Sequence, residues 1–246
     1  MKRINWQIVL GIGLVILSGV FYIIHYAIFR DAHHIFLYLI GDIAFVFIEV
    51  LLVTLIIHQL LSQREKRAML KKLNMVIGAF YSEAGTGLLR SFSAFDLYPD
   101  KIQKDLIVAN DWSDEQFSQV SKGLKQHDLR MDARKSDLGD LKHFLLGKRY
   151  FLLRLLENPN LLEHQSFTDL LWAVFHLTEE LAHRADVRTL AETDCVHLSA
   201  DMKRAYVLLI SEWLNYMEHL RTNYPYLFSL ALRTNPFDPN ASIEVK

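Results

Sequence analysis

The chain has 246 residues, 51% of them hydrophobic, with 27 Lys+Arg against 28 Asp+Glu and a formal net charge of −1. That balance lacks the basic excess of a nucleic-acid binder, so no nucleic-acid partner is expected. The single cysteine, Cys195, excludes an internal disulfide framework and a Cys-rich zinc module.

The apolar residues concentrate near the start. Between Arg3 and Arg30 runs a stretch without formal charge, and a second apolar stretch covers 35–61, interrupted by Asp42, Glu49 and His58. About 20 apolar residues are enough to cross a bilayer core. The pattern predicts two membrane spans, about 5–29 and 35–61, within a hairpin domain 1–62 whose turn is Arg30-Asp31-Ala32-His33-His34. A cleavable signal would carry a shorter apolar region and a small-residue cut site. Lys2 and Arg3 precede the first span, and Arg64, Lys66, Arg67, Lys71 and Lys72 follow the second. Because positive charge stays inside, both termini are expected in the cytoplasm, with the basic run at the lipid headgroups.

Asp42 and Glu49 are seven residues apart, hence on one face of a helix. Glu49 falls near mid-bilayer, where an ionisable group costs at least ~2.5–3.5 kcal/mol and should face protein or water. The first span offers Gly11, Ser18, Tyr22 and His25 as a small and polar stripe. If Phe29 and Ile35 are level, Asp42 lies level with Tyr22, and Glu49 lies between Gly11 and Ser18. Two readings follow. The acids are neutral and serve helix pairing, or they line a proton or cation pathway between subunits of a homo-oligomer. His25, His33 and His34 gather near the outer end. Interfacial polar residues are the plain reading; haem held between paired hairpins is the chemical alternative.

From Asp42 to Ile77 there is no Gly or Pro, so the second span is expected to continue as a helical stalk over 63–97. Gly78, Gly85 and Gly87 are expected to loosen it. A helical cytoplasmic domain should fill 98–246, giving an all-α chain. Ser113-Asp-Glu-Gln116 is a capping box opening a short polar helix to about Gln126. Leu138, Leu141, Leu145, Leu152 and Leu155 mark a long helix ending at Asn158-Pro159. Ser166-Phe-Thr-Asp169 signals the next, expected over 167–184. It is apolar all round from Leu170 to Phe175, as a buried central helix would be. Residues 185–197 read as a loop. Met202, Tyr206, Leu209, Trp213, Tyr216 and Leu220 form a heptad stripe on a final long helix that Tyr224-Pro225 ends or kinks.

No phosphate-binding glycine motif, nucleophile elbow or HExxH occurs, and a non-enzymatic protein is expected. One constellation is left. His176, Glu180 and His183 share a face at i, i+4 and i+7, and Glu180-x-x-His183 is the element of di-iron bundles. No second such element exists for iron. Zinc would need one more ligand, for which His164 and His219 are candidates. Ordinary pairing of Glu179 with His183 and of Glu180 with Arg184 is the plain alternative.

The stretches HHIFLYLIGDIAFVFIEVLLVTLIIH (33–58), TDLLWAVFHLTEELAHR (168–184) and LRTNPFDPNAS (232–242) resemble those of a family of uncharacterised bacterial two-span membrane proteins. The likeness covers nearly the whole chain. It implies an inner-membrane setting and a helical cytoplasmic domain, and carries over no activity or site residue. The functional expectation is an oligomeric membrane protein in which Glu49 and Asp42 line a proton or cation path. A membrane-anchored scaffold that captures a cytoplasmic protein is the second class. A metal- or haem-binding redox protein is the third.

Overall fold

The computed structural model describes residues 6–126, 128–159, 161 and 164–244. Among them the architecture is all-α, divided into two compact units, 1–66 and 67–246. Each has its own logic of burial.

In the first unit, α1 (Trp6–Phe29) turns into α2 (Ala32–Phe80) through two residues alone. Arg30 takes the left-handed conformation, φ 49°, and its N–H donates to the Tyr26 carbonyl at 2.9 Å, closing α1. The Asp31 carboxylate accepts from the backbone N–H of His33 at 2.9 Å and of His34 at 3.3 Å. It thereby caps α2. The five-residue turn expected from the sequence is therefore too long: Ala32, His33 and His34 form the first turn of α2. Val9–Phe29 and Ala32–Glu65 are long and apolar enough to cross a membrane. Among the described side chains of this unit only His25, Ile35 and Leu39 are half-buried; all others are exposed.

The second unit opens on the later part of α2. Leu73, Ile77 and Phe80 are buried there, so the later stalk residues belong to a core. The glycines do not loosen the chain. After Phe80 a π-helical turn, Tyr81–Gly85, leads directly into α3 (Thr86–Phe95). Both the backbone N–H and the hydroxyl of Thr86 donate to the Tyr81 carbonyl, the latter at 2.9 Å. At Gly87 an added Cβ would sit 2.8 Å from the Phe144 ring, so the missing side chain is what admits that ring.

Short α4 (Pro99–Gln103) precedes α5 (Asp114–Gln126). The Ser113 capping box is present. Its N–H donates to Gln116 Oε1 at 2.7 Å, and the Gln116 N–H donates to Ser113 Oγ at 3.4 Å. Asp137 caps α6 (Leu138–Leu156) through Gly139 N–H at 2.7 Å. The next helix, α7 (Gln165–His183), starts earlier than expected, because His164 Nδ1 accepts from the Phe167 N–H at 3.3 Å. α8 (Glu192–Asn223) also starts early and absorbs part of the expected 185–197 loop. α8 ends before Pro225, one of the two outcomes the sequence allows, and Pro225 opens α9 (Pro225–Arg233).

α8 packs on α7, α5, α9 and α3, and α7 packs on α6. Phe80, Phe92, Leu145, Phe167, Leu177 and Tyr206 are fully buried between them. The helix expected to be apolar on every side has one open face. Leu170, Leu171, Ala173 and Val174 are buried while Trp172 is 56% exposed, since α6 and α8 leave that side of α7 uncovered.

Candidate functional site

Two groups of chemistry-bearing side chains stand out, one in each unit. In the hairpin, near the turn, a cavity of about 570 Å³ has Ser18, Tyr22, His25, His34, Tyr38 and Asp42 as its polar wall. The His25 and His34 rings stack at 5.8 Å, and His34 meets Tyr38 at 4.6 Å. His25 Nδ1 is enclosed with no hydrogen-bond partner among the described residues. Glu49 is not part of this wall. It is exposed in the single chain, and no described residue hydrogen-bonds to it. Gly11 and Gly41 likewise have open space where a Cβ would stand. The close approach of the first span to Glu49, expected from the level pairing, is therefore not made within one chain. Arg64 and Lys72 are exposed; the side chains of Lys66, Arg67 and Lys71 lie outside the described residues.

The second group joins α7 to α8. His176 and Glu180 are one turn apart on α7, and His197 and Asp201 are one turn apart on α8. Helix packing brings both pairs to one place. The buried Asp201 Oδ2 lies 3.3 Å from His176 Nε2 and 3.3 Å from His197 Nε2. Glu180 completes the set, with Oε1 3.9 Å from His176 Nε2 and Oε2 3.6 Å from His197 Nε2. The carboxylates are held from outside. Arg184 donates to Glu180 Oε2 at 2.7 Å and to both oxygens of Asp194, at 2.6 and 2.9 Å. Arg204 lies 3.4 Å from Asp201 Oδ1. Hydrogen bonding to Arg184 holds the Glu180 carboxyl below its ordinary range, and the same guanidinium does so for Asp194. Arg184 is in turn raised, chiefly by its hydrogen bond to Asp194.

Of the three residues singled out on α7, two meet here and one does not. His183 Nδ1 donates to the Glu179 carbonyl at 2.7 Å instead. Glu179 pairs with Arg149 at 2.7 Å. His164 is occupied in capping α7. His219 Nδ1 accepts from the Asn74 side-chain amide at 3.0 Å, so neither supplies the expected fourth ligand. The sequence reading missed His197 and Asp201. A signal was available: His197-x-x-x-Asp201 has the same histidine-to-carboxylate spacing as His176-x-x-x-Glu180.

The class defined by these units is an all-helical protein with two apolar N-terminal helices and a separate C-terminal helical bundle. Residues 2–61 match the family described as "MJ1433, N-terminal helical domain", and residues 69–233 match "Uncharacterized protein MJ1433, C-terminal helical domain". The chain belongs to the MJ1433 family. It is 46% identical over 242 residues, 98% of this chain and 97% of the relative, to the uncharacterised protein MJ1433 of Methanocaldococcus jannaschii. That relative is archaeal, so this match does not supply the bacterial setting expected from the resemblance. No solved structure matches.

Proposed function

We propose that the chain is an integral protein of the plasma membrane with both termini on the cytoplasmic side. Its hairpin self-associates through the face that carries Asp42 and Glu49. The basic residues Arg64, Lys66, Arg67, Lys71 and Lys72 would then lie among lipid headgroups. The joined faces form a polar route for protons or small cations, with Asp42 in the outer cavity and Glu49 deeper.

The observation that carries this reading is the exposure of Glu49 on a helix whose other faces are apolar. Left against acyl chains it would cost at least ~2.5–3.5 kcal/mol. Contact with a second copy removes that cost, and the open space at Gly11 and Gly41 admits a close neighbour. The Asp42 cavity with its two stacked histidines adds polar side chains at the outer end of that route.

Purified full-length protein in liposomes tests it. Proton or monovalent-cation flux above empty liposomes, reduced at least tenfold by Glu49→Gln, is the expected result. Flux equal to empty liposomes, or unchanged by that substitution, rejects the route. A membrane-anchored adaptor is the second reading, favoured by Tyr150 and Trp172, 73% and 56% exposed on α6 and α7. It predicts that Glu49→Gln leaves assembly and function intact while changes at Tyr150 or Trp172 do not.

A further inference from the structure

We infer that His176, Glu180, His197 and Asp201 form a binding site for a first-row divalent transition-metal ion, of which zinc is the best match. The inference stands apart from the membrane route, since all four residues lie in the C-terminal unit.

Spacing is the first support. Ligand atoms held ~2.1 Å from a tetrahedral zinc ion are ~3.4 Å from one another. Asp201 Oδ2 lies 3.3 Å from each of the two imidazole nitrogens, while Glu180 approaches His176 through Oε1 at 3.9 Å and His197 through Oε2 at 3.6 Å. The nearest ligand atoms of His176, Glu180 and His197 all fall within 4.8 Å of each other. His176, Glu180 and His197 thus gather from two helices, and Asp201 Oδ2 adds a fourth oxygen 3.3 Å from each imidazole nitrogen.

The second support is independent of spacing. Asp201 is 3% exposed, and its Oδ2 is enclosed without a hydrogen bond among the described residues. A buried carboxylate oxygen that accepts no hydrogen bond is costly. This one points between two imidazole nitrogens, so a cation bound there would satisfy it.

The surrounding charges fit the same assignment. Arg204 engages Asp201 through Oδ1 and leaves Oδ2 to the site. Arg184 engages Glu180 through Oε2 and leaves Oε1. Such outer partners orient ligating carboxylates. Glu180, Asp194 and Asp201 against Arg184 and Arg204 keep the neighbourhood anionic when both imidazoles are neutral. Two imidazoles with two carboxylates suit zinc, iron(II) or cobalt(II) better than calcium, which takes oxygen ligands only. The side chains of His176 and His197 are 45% and 50% exposed, so the ion is reached from solvent on that side.

Full-length protein, purified in detergent and stripped with a chelator, is titrated with zinc chloride and separately with cobalt(II). One zinc per chain is expected, with a tetrahedral cobalt(II) absorption spectrum and a rise in the thermal midpoint on zinc addition. His176→Gln, His197→Gln and Asp201→Asn should each weaken zinc binding more than ~100-fold, beyond the loss typical of an outer partner. His183→Gln should leave it unchanged. Because His197 is half exposed, its variant is expected to fold, as its metal-free circular dichroism will report. Less than half an equivalent of zinc in the unsubstituted protein overturns the site. So does a folded His197→Gln variant that keeps the original affinity, and so does a His183→Gln variant that loses it.

Discussion

Phe47 in the first unit is 74% exposed and Val15 is 73% exposed, whereas Phe80, Phe92 and Phe167 in the second are fully covered. Both units are helical and rich in large apolar side chains, yet they dispose of them in opposite ways. The C-terminal unit buries its own, α8 collecting the apolar faces of α3, α5, α7 and α9. The hairpin leaves nearly all of its side chains uncovered. A hydrophobic segment is thus completed either by its own chain or by something else, which on the proposed reading is lipid and a second copy. Glycines at the core of the C-terminal unit differ from those of the hairpin in the same way, although Gly123 and Gly147 on its surface also have open space. At Gly85 an added Cβ would lie 2.5 Å from the Tyr81 ring and 2.9 Å from Phe80. At Gly11, Gly13, Gly19 and Gly41 it would meet nothing within 4 Å.

The largest test of this contrast is truncation of an aromatic in each unit. Phe167 meets Phe80 edge to face at 5.3 Å, and Phe167→Ala should destabilise the C-terminal unit by about 3–5 kcal/mol in denaturant titration. Phe47→Ala in monomeric, detergent-solubilised protein should change stability by less than ~0.5 kcal/mol. Equal losses at the two positions would erase the distinction. Next comes glycine: Gly85→Ala should cost about 1–3 kcal/mol through overpacking. Gly41→Leu should be harmless to the isolated chain but should lower the oligomer mass measured by light scattering if a copy covers that face.

Smaller effects refine the picture inside the C-terminal unit. Ser113→Ala should cost about 1 kcal/mol by removing the α5 cap, read as a lower thermal midpoint. His219 gives a pH signature. Burial pushes its pKa down, and Nδ1 accepts from the side-chain amides of Asn74 and Asn223, at 3.0 and 3.2 Å. Protonation would set a donor against two donors. A depressed imidazole pKa means stability that is complete above the unfolded value of ~6.5. It is lost as pH falls through that value and levels off below the folded one. His219→Gln should therefore lose less stability than the unsubstituted chain between pH 7 and pH 5, by under ~1 kcal/mol. An identical pH profile in the two proteins would contradict the burial argument.

How much of this was legible follows from the range of each signal. Hydropathy and 3.6-residue periodicity are properties of a short window, and they marked both apolar helices, the Ser113 box, the leucines of α6 and the heptad stripe of α8. Cap identity was less legible. Asp31 and His164 each began a helix earlier than the sequence suggested, because one side-chain acceptor near the free N–H groups is enough to start it. Sequence alone takes Gly85 and Gly87 as points that loosen the chain, because their role depends on rings that approach from Tyr81 and Phe144.

By itself the sequence determined an all-helical chain, two apolar helices long enough to cross a membrane, and a histidine and a glutamate one turn apart at 176 and 180. Only the tertiary structure decided which residues complete that pair. Helical spacing placed His183 with it, but the ring turns to the Glu179 carbonyl at the end of α7. His197 and Asp201 take its place because α8 packs on α7 in a register that sets Asp201 Oδ2 between both imidazoles. Periodicity fixes which residues share a face of one helix; the faces that meet across two helices are fixed by how their side chains interlock, which no single window contains.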